Sequence, residues 1–118
     1  MKTILIADDS PSIRRLLETI VKSAGYSVIT ASDGREALKL AFENSIDAII
    51  ADEEMPNLTG SELFRILKTD PEKKTVPLIM ISGLTADDDK PVTELADVFL
   101  SKNADLKSQV LTTLERVV

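Results

Sequence analysis

Polar side chains stand at the ends of four short apolar runs: Asp8 and Asp9 after TILIA, Asp52 after AIIA, Ser82 after LIMI, and Lys102 two residues beyond VFL. Carboxylates that share one site repel one another unless a cation neutralises them. An all-oxygen cluster with open positions suits Mg²⁺, which keeps several waters and meets phosphate oxygens. With a divalent ion present, one carboxylate can attack a phosphoryl group and become an acyl phosphate. The Ser82 hydroxyl and the Lys102 ammonium are then the donors expected to hold the developing negative charge.

Composition removes most alternatives. The chain has 118 residues with neither Cys nor His, so disulfides, zinc–thiolate sites, imidazole ligands and histidine-based triads are excluded. Asp and Glu number 20 against 14 Lys and Arg, and the resulting charge of −6 disfavours direct binding to nucleic acid. The N-terminus MKTILIADDS is too acidic and its apolar run too short for a signal peptide, and no stretch is long and apolar enough to span a membrane. A cytoplasmic protein is expected, with residues 1–118 forming a single domain that carries no effector domain.

These residues need elements to position them. The runs Thr3 to Ala7, Ser27 to Ala31, Ala48 to Ala51, Leu78 to Ile81 and Val98 to Leu100 lack polar alternation, as strands covered on both faces do. Helical spacing lies between them. After Ser10 and Pro11, the residues Ile13, Leu16, Leu17, Ile20, Val21 and Ala24 mark one face, and Gly25 stops the helix. A second helix follows Ser32-Asp33 and buries Ala37, Leu38, Ala41 and Phe42; a third follows Gly60, uses Leu63, Phe64, Ile66 and Leu67, and ends before Asp70-Pro71. The last runs from about Ala104, with Leu106, Val110, Leu111, Leu114 and Val117 inward. Between the fourth and fifth strands, Asp87, Asp88, Asp89, Lys90 and Pro91 leave room for only a short or distorted helix within residues 84–96. Strands alternating with helices predict an α/β sandwich around a parallel sheet, with its ligand site outside the carboxyl ends of the strands.

The sequence resembles a response-regulator receiver domain of the single-domain chemotaxis type. The resemblance runs over the whole length and is carried by the acidic pair in ILIADDS, by AIIADEEMPNLTG, by the hydroxyl in IMISG and by the lysine in VFLSK. It implies a flavodoxin-like (βα)5 three-layer sandwich with strand order 2-1-3-4-5 and a shortened or distorted fourth helix. It also implies that Asp52 accepts phosphate from a histidine kinase, a phosphotransfer protein or a small donor. Mg²⁺ would be held by Asp9, by Asp8 mainly through water, by Asp52 and by the backbone carbonyl of Glu54. Ser82 would bond the phosphoryl group and act with Phe99 as the switch, Lys102 would pair with the phosphate, and output would come by docking on an unidentified protein. Phosphorylation and dephosphorylation would be self-catalysed, the chain being otherwise no enzyme.

Some positions depart from the family pattern. Ser82 keeps the hydroxyl of the commoner threonine without its methyl. Glu54 places a carboxylate beside the pocket. Asn103 follows the lysine where proline is usual; a non-proline cis bond costs roughly 2.5–4 kcal/mol, so the isomer of that bond stays open. These departures keep a second reading in view, a pseudo-receiver that binds partners without phosphate. A third is a Mg²⁺-dependent phosphohydrolase, since Glu54 has the spacing of a second acid two residues after an aspartyl nucleophile. No glycine-rich phosphate loop follows the first strand, which argues against a nucleotide or flavin site.

Overall fold

The computed structural model of the chain describes residues 1–82, 96–102 and 105–118. Within them run β1 (Thr3–Ala7), α1 (Pro11–Ser23), β2 (Ser27–Ala31), α2 (Gly34–Glu43), β3 (Ala48–Asp52), α3 (Gly60–Thr69), β4 (Leu78–Ser82), β5 (Val98–Ser101) and α4 (Leu106–Val117). The distorted helix expected within residues 84–96 falls, up to residue 95, outside the described residues, as does the peptide bond to Asn103.

The five strands are all parallel and ordered β2-β1-β3-β4-β5, as expected. Period-two alternation splits every strand between two cores. Leu5, Ala7, Ile49, Ala51, Leu78 and Met80 pack against α2 and α3, while Ile4, Ile6, Ala48, Ile50, Ile79 and Ile81 pack against α1 and α4. That is why the strands read as unbroken apolar runs: both faces are covered.

The helices bury narrower stripes than the sequence pattern implies. Leu16, Phe42 and Ile66, expected inward, are exposed, and each adjoins a buried neighbour, Leu17, Ala41 and Leu67. One residue turns the helix by about 100°, so the second member of each pair falls on the flank of the stripe. Ala24, also expected inward, is the exposed C-cap of α1.

The caps follow local chemistry. Ser10 Oγ accepts from Ile13 N–H and Asp33 Oδ1 from Glu36 N–H, as N-caps do. At α3 the cap is Thr59, with Glu62 reaching back to its N–H in a capping box. Asp105 caps α4, which begins at Leu106.

Two aspartates fix the amino-terminal edge of the sheet. Asp47 Oδ2 accepts from Thr3 N–H at 2.7 Å, and Asp97 Oδ2 accepts from Leu78 N–H at 2.7 Å. The backbone N–H of each returns a bond to the same partner's carbonyl, at 2.8 Å in both cases. Neighbouring strands are thereby held in register before the ladder starts.

Candidate phosphoacceptor and metal site

Register brings the acids together at the opposite, carboxyl edge. Ala7 pairs with Ala51, so Asp8 and Asp52 are the next residues on adjacent strands. Asp52 continues the row of Ala48 and Ile50, and Ser82 ends β4 in the row of Leu78 and Met80. Ser82 pairs with Ser101, which brings Lys102 to the same edge, where its N–H donates to the Ser82 carbonyl at 2.9 Å.

Asp8, Asp9 and Asp52 each offer a carboxylate oxygen within 4.8 Å of the others. Asp8 and Asp52 are buried, whereas Asp9 is exposed. Lys102 Nζ lies 3.0 Å from Asp52 Oδ2 and 3.1 Å from Asp8 Oδ2. Asp8 Oδ1 accepts from Ser10 N–H at 2.8 Å, but the buried Oδ2 has no hydrogen-bond partner among the described residues, Lys102 standing beside it as an ion-pair neighbour. Among the described residues, three carboxylates against one contacting ammonium leave negative charge uncompensated. An oxygen-only donor set with an unused buried lone pair fits a hard divalent cation.

Electrostatics at Asp52 follow from that geometry. Burial pushes the Asp52 carboxyl up to about 6; Lys102 opposes the rise by hydrogen bond and charge, Asp8 adds to it by like charge, and the Glu54 N–H opposes it again. Burial would lower the Lys102 ammonium, but bonding and charge from Asp52, with the charge of Asp8 beside them, outweigh it, and its pKa lies above the ordinary lysine value.

The turn between Asp52 and α3 is packed tightly against the end of β3. Gly60 N–H donates to the Glu53 carbonyl at 3.0 Å, and a Cβ on Gly60 would lie 2.6 Å from the Asp52 carbonyl oxygen, so only glycine fits. Glu53 Oε1 accepts from the Ser61 N–H at 2.6 Å and its hydroxyl at 2.7 Å. Glu54 is exposed beside the pocket, and Phe99 is half-buried against the α2–α3 core.

Arg14 is part of the site although sequence patterning does not single it out: its Nη1 donates to the Asp8 carbonyl at 2.7 Å. The signal available is an anomaly. A cation early in a helix opposes the helix dipole, and α1 has no acidic residue in its first turn.

The sequence profile of the response regulator receiver domain matches residues 4–114. The chain belongs to that family. The receiver is 40% identical over 103 residues to the alkaline phosphatase synthesis transcriptional regulatory protein PhoP of Bacillus subtilis, a stretch covering 86% of this chain and 42% of the relative. Among solved structures, the chemotaxis response regulator CheY4 of Vibrio cholerae superposes with a TM-score of 0.91 at 34% identity, covering 100% of this chain and 99% of that one. Response regulator TrrA of Thermotoga maritima, in complex with Mg²⁺ and BeF, gives 0.90 at 30% identity with both chains fully covered. The receiver spans less than half the length of PhoP and 11% of that of the gliding motility regulatory protein of Myxococcus xanthus. No helix among the described residues is long and apolar enough to cross a membrane.

Proposed function

We propose that this receiver is a phosphorylation-controlled switch that accepts a phosphoryl group on Asp52 from a histidine kinase or phosphotransfer protein and signals by docking on a downstream protein in the cytoplasm. The observation that carries the reading is the buried Asp52 carboxylate beside Asp8, with Lys102 Nζ 3.0 Å away and the cluster's negative charge incompletely neutralised. Asp8, Asp9, Asp52 and the Glu54 carbonyl would hold Mg²⁺, which supplies positive charge for the phosphoryl oxygens when bound. The likeness to TrrA, whose structure contains Mg²⁺, supports that assignment.

In the transfer step an Asp52 oxygen bonds to phosphorus as the donor–phosphorus bond breaks. The bonding electron pair leaves with the donor, and the product is a mixed anhydride. Lys102, already beside Asp52, pairs with a phosphoryl oxygen, and the Ser82 hydroxyl donates to another. The phosphoryl group carries a charge of about −1.5 to −2 where the carboxylate carried −1. Bonding it draws Ser82 toward Asp52 and leaves room on the Phe99 side, biasing a two-state equilibrium. No separate substrate is turned over; gain and loss of the phosphoryl group are the chain's own chemistry.

The test is incubation with Mg²⁺ and acetyl phosphate, read by intact mass. One added phosphoryl group on wild type, absent from Asp52→Asn and from samples in chelator, is the expected result. A wild type that gains nothing has the behaviour of a phosphate-independent interaction module, and steady turnover of unrelated phosphate monoesters that of a hydrolase.

A further inference from the structure

Residues 53–59 carry the Glu54 backbone against Asp52, and they are held at both ends. At the base, Gly60 and Ser61 bond to Glu53. At the tip, Asn57 Nδ2 donates to Asp33 Oδ2 at 3.1 Å, joining the loop to the start of α2. Asp33 thus uses one oxygen to cap its own helix, through Glu36 N–H at 2.8 Å, and the other to hold the loop. Beside this bond a Cβ on Gly34 would run into the Leu58 carbonyl, so α2 and the loop touch backbone to backbone. Asn57 itself has φ +70 and closes a three-residue turn in which Leu58 N–H donates to the Pro56 carbonyl at 2.8 Å.

We propose that Asp33 and Asn57 form a latch that positions residues 53–59, so that the Glu54 backbone meets Asp52 in the arrangement needed for Mg²⁺ binding and phosphoryl transfer. The inference rests on the function proposed above and names positioning residues for it. The latch bond is exposed, so its share of global stability is small. Its effect falls instead on where the loop backbone lies, and groups that orient a ligand's support alter affinity without touching the ion.

Two substitutions remove the latch and spare the fold. Asp33→Ser keeps an N-cap oxygen but loses the second acceptor, and Asn57→Gly keeps the positive φ without strain. Each is expected to weaken Mg²⁺ binding by about three- to tenfold, as loss of one supporting hydrogen bond does. Each is also expected to speed amide exchange of residues 53–59 in the metal-free protein, with an unchanged urea midpoint. The double variant is expected to match the single ones, because both remove the same bond. Variants that bind Mg²⁺ and exchange as wild type does, or effects that simply add, overturn the latch. A wild type that neither binds Mg²⁺ nor gains a phosphoryl group overturns the underlying function and the latch with it.

Discussion

Lys102 Nζ stands 3.0 Å from Asp52 Oδ2 and reaches Asp8 Oδ2 at 3.1 Å, so a single ammonium bridges the two buried carboxylates of the acid cluster. Removing one partner of a buried pair costs about 3–5 kcal/mol, because the other charge is left without compensation. Lys102→Met is therefore expected to lose several kcal/mol of stability in chelator at pH 7. A divalent cation neutralises the same carboxylates, so Mg²⁺ is expected to bind Lys102→Met more tightly than wild type and to restore most of the loss. Urea unfolding with and without Mg²⁺ measures both effects, and equal Mg²⁺ stabilisation of the two proteins would count against ammonium and cation serving one charge cluster.

The raised Asp52 pKa has a definite consequence for stability. Folded, the group holds its proton up to about pH 6; unfolded, it releases it near the ordinary value of 3.8. Between those values the folded state binds more protons, so stability falls as pH rises from about 4 to 6 and the deficit persists at neutral pH. The deficit in chelator is at most about 3 kcal/mol, from roughly 1.4 kcal/mol per pKa unit. Asp52→Asn, unable to ionise, is expected to be more stable than wild type at pH 7 and to lack that part of the slope. Mg²⁺ affinity of wild type should fall below pH 6 as the proton competes. Parallel stability–pH curves for the two proteins would exclude Asp52 as the source.

At the other edge of the sheet, Asp97 ties Leu78 N–H at 2.7 Å and meets Lys68 Nζ at 3.3 Å, and Asp47 ties Thr3 N–H at 2.7 Å. Asp97→Ala and Asp47→Ala are each expected to lower stability by about 1.5–3 kcal/mol, the worth of a hydrogen bond to a charged group. Mg²⁺ affinity should be unchanged, since the acids gather where the strands end. Chemical denaturation beside Mg²⁺ titration separates the edges, and a large affinity loss in either variant would show that they are coupled.

The strands and the acid site were legible in the sequence for one physical reason. A parallel sheet covered on both faces produces short unbroken apolar runs, and its register brings the residues just past those runs to one edge, as with Asp8, Asp52, Ser82 and Lys102. Helix faces were legible only in outline, because hydrophobicity marks a broader stripe than packing uses, and Leu16, Phe42 and Ile66 fall on its flank. Side-chain contacts between separate segments left no pattern beyond the anomaly of Arg14. Arg14 on the Asp8 carbonyl, Asp97 on Leu78 and Asn57 on Asp33 join segments whose adjacency exists only once the chain has folded.

Glu54 is the remaining lever on the acceptor. Its N–H faces the Asp52 carboxylate, while its own side chain is exposed at the pocket mouth. Under the proposed function, a carboxylate there would repel an anionic phosphodonor and alter the approach of water to the acyl phosphate. Its effect is bounded by exposure: near a surface, two unit charges several ångströms apart interact by about 1 kcal/mol or less once salt is present. Glu54→Asn removes the charge and keeps the backbone, so loading by acetyl phosphate at low salt is expected to rise about two- to fivefold. That gain should shrink as ionic strength increases. The lifetime of the phosphoryl group should change as well, followed by intact mass after the donor is removed. An equal decay rate and a salt-independent loading rate in Glu54→Asn would leave the side chain without influence on the acceptor.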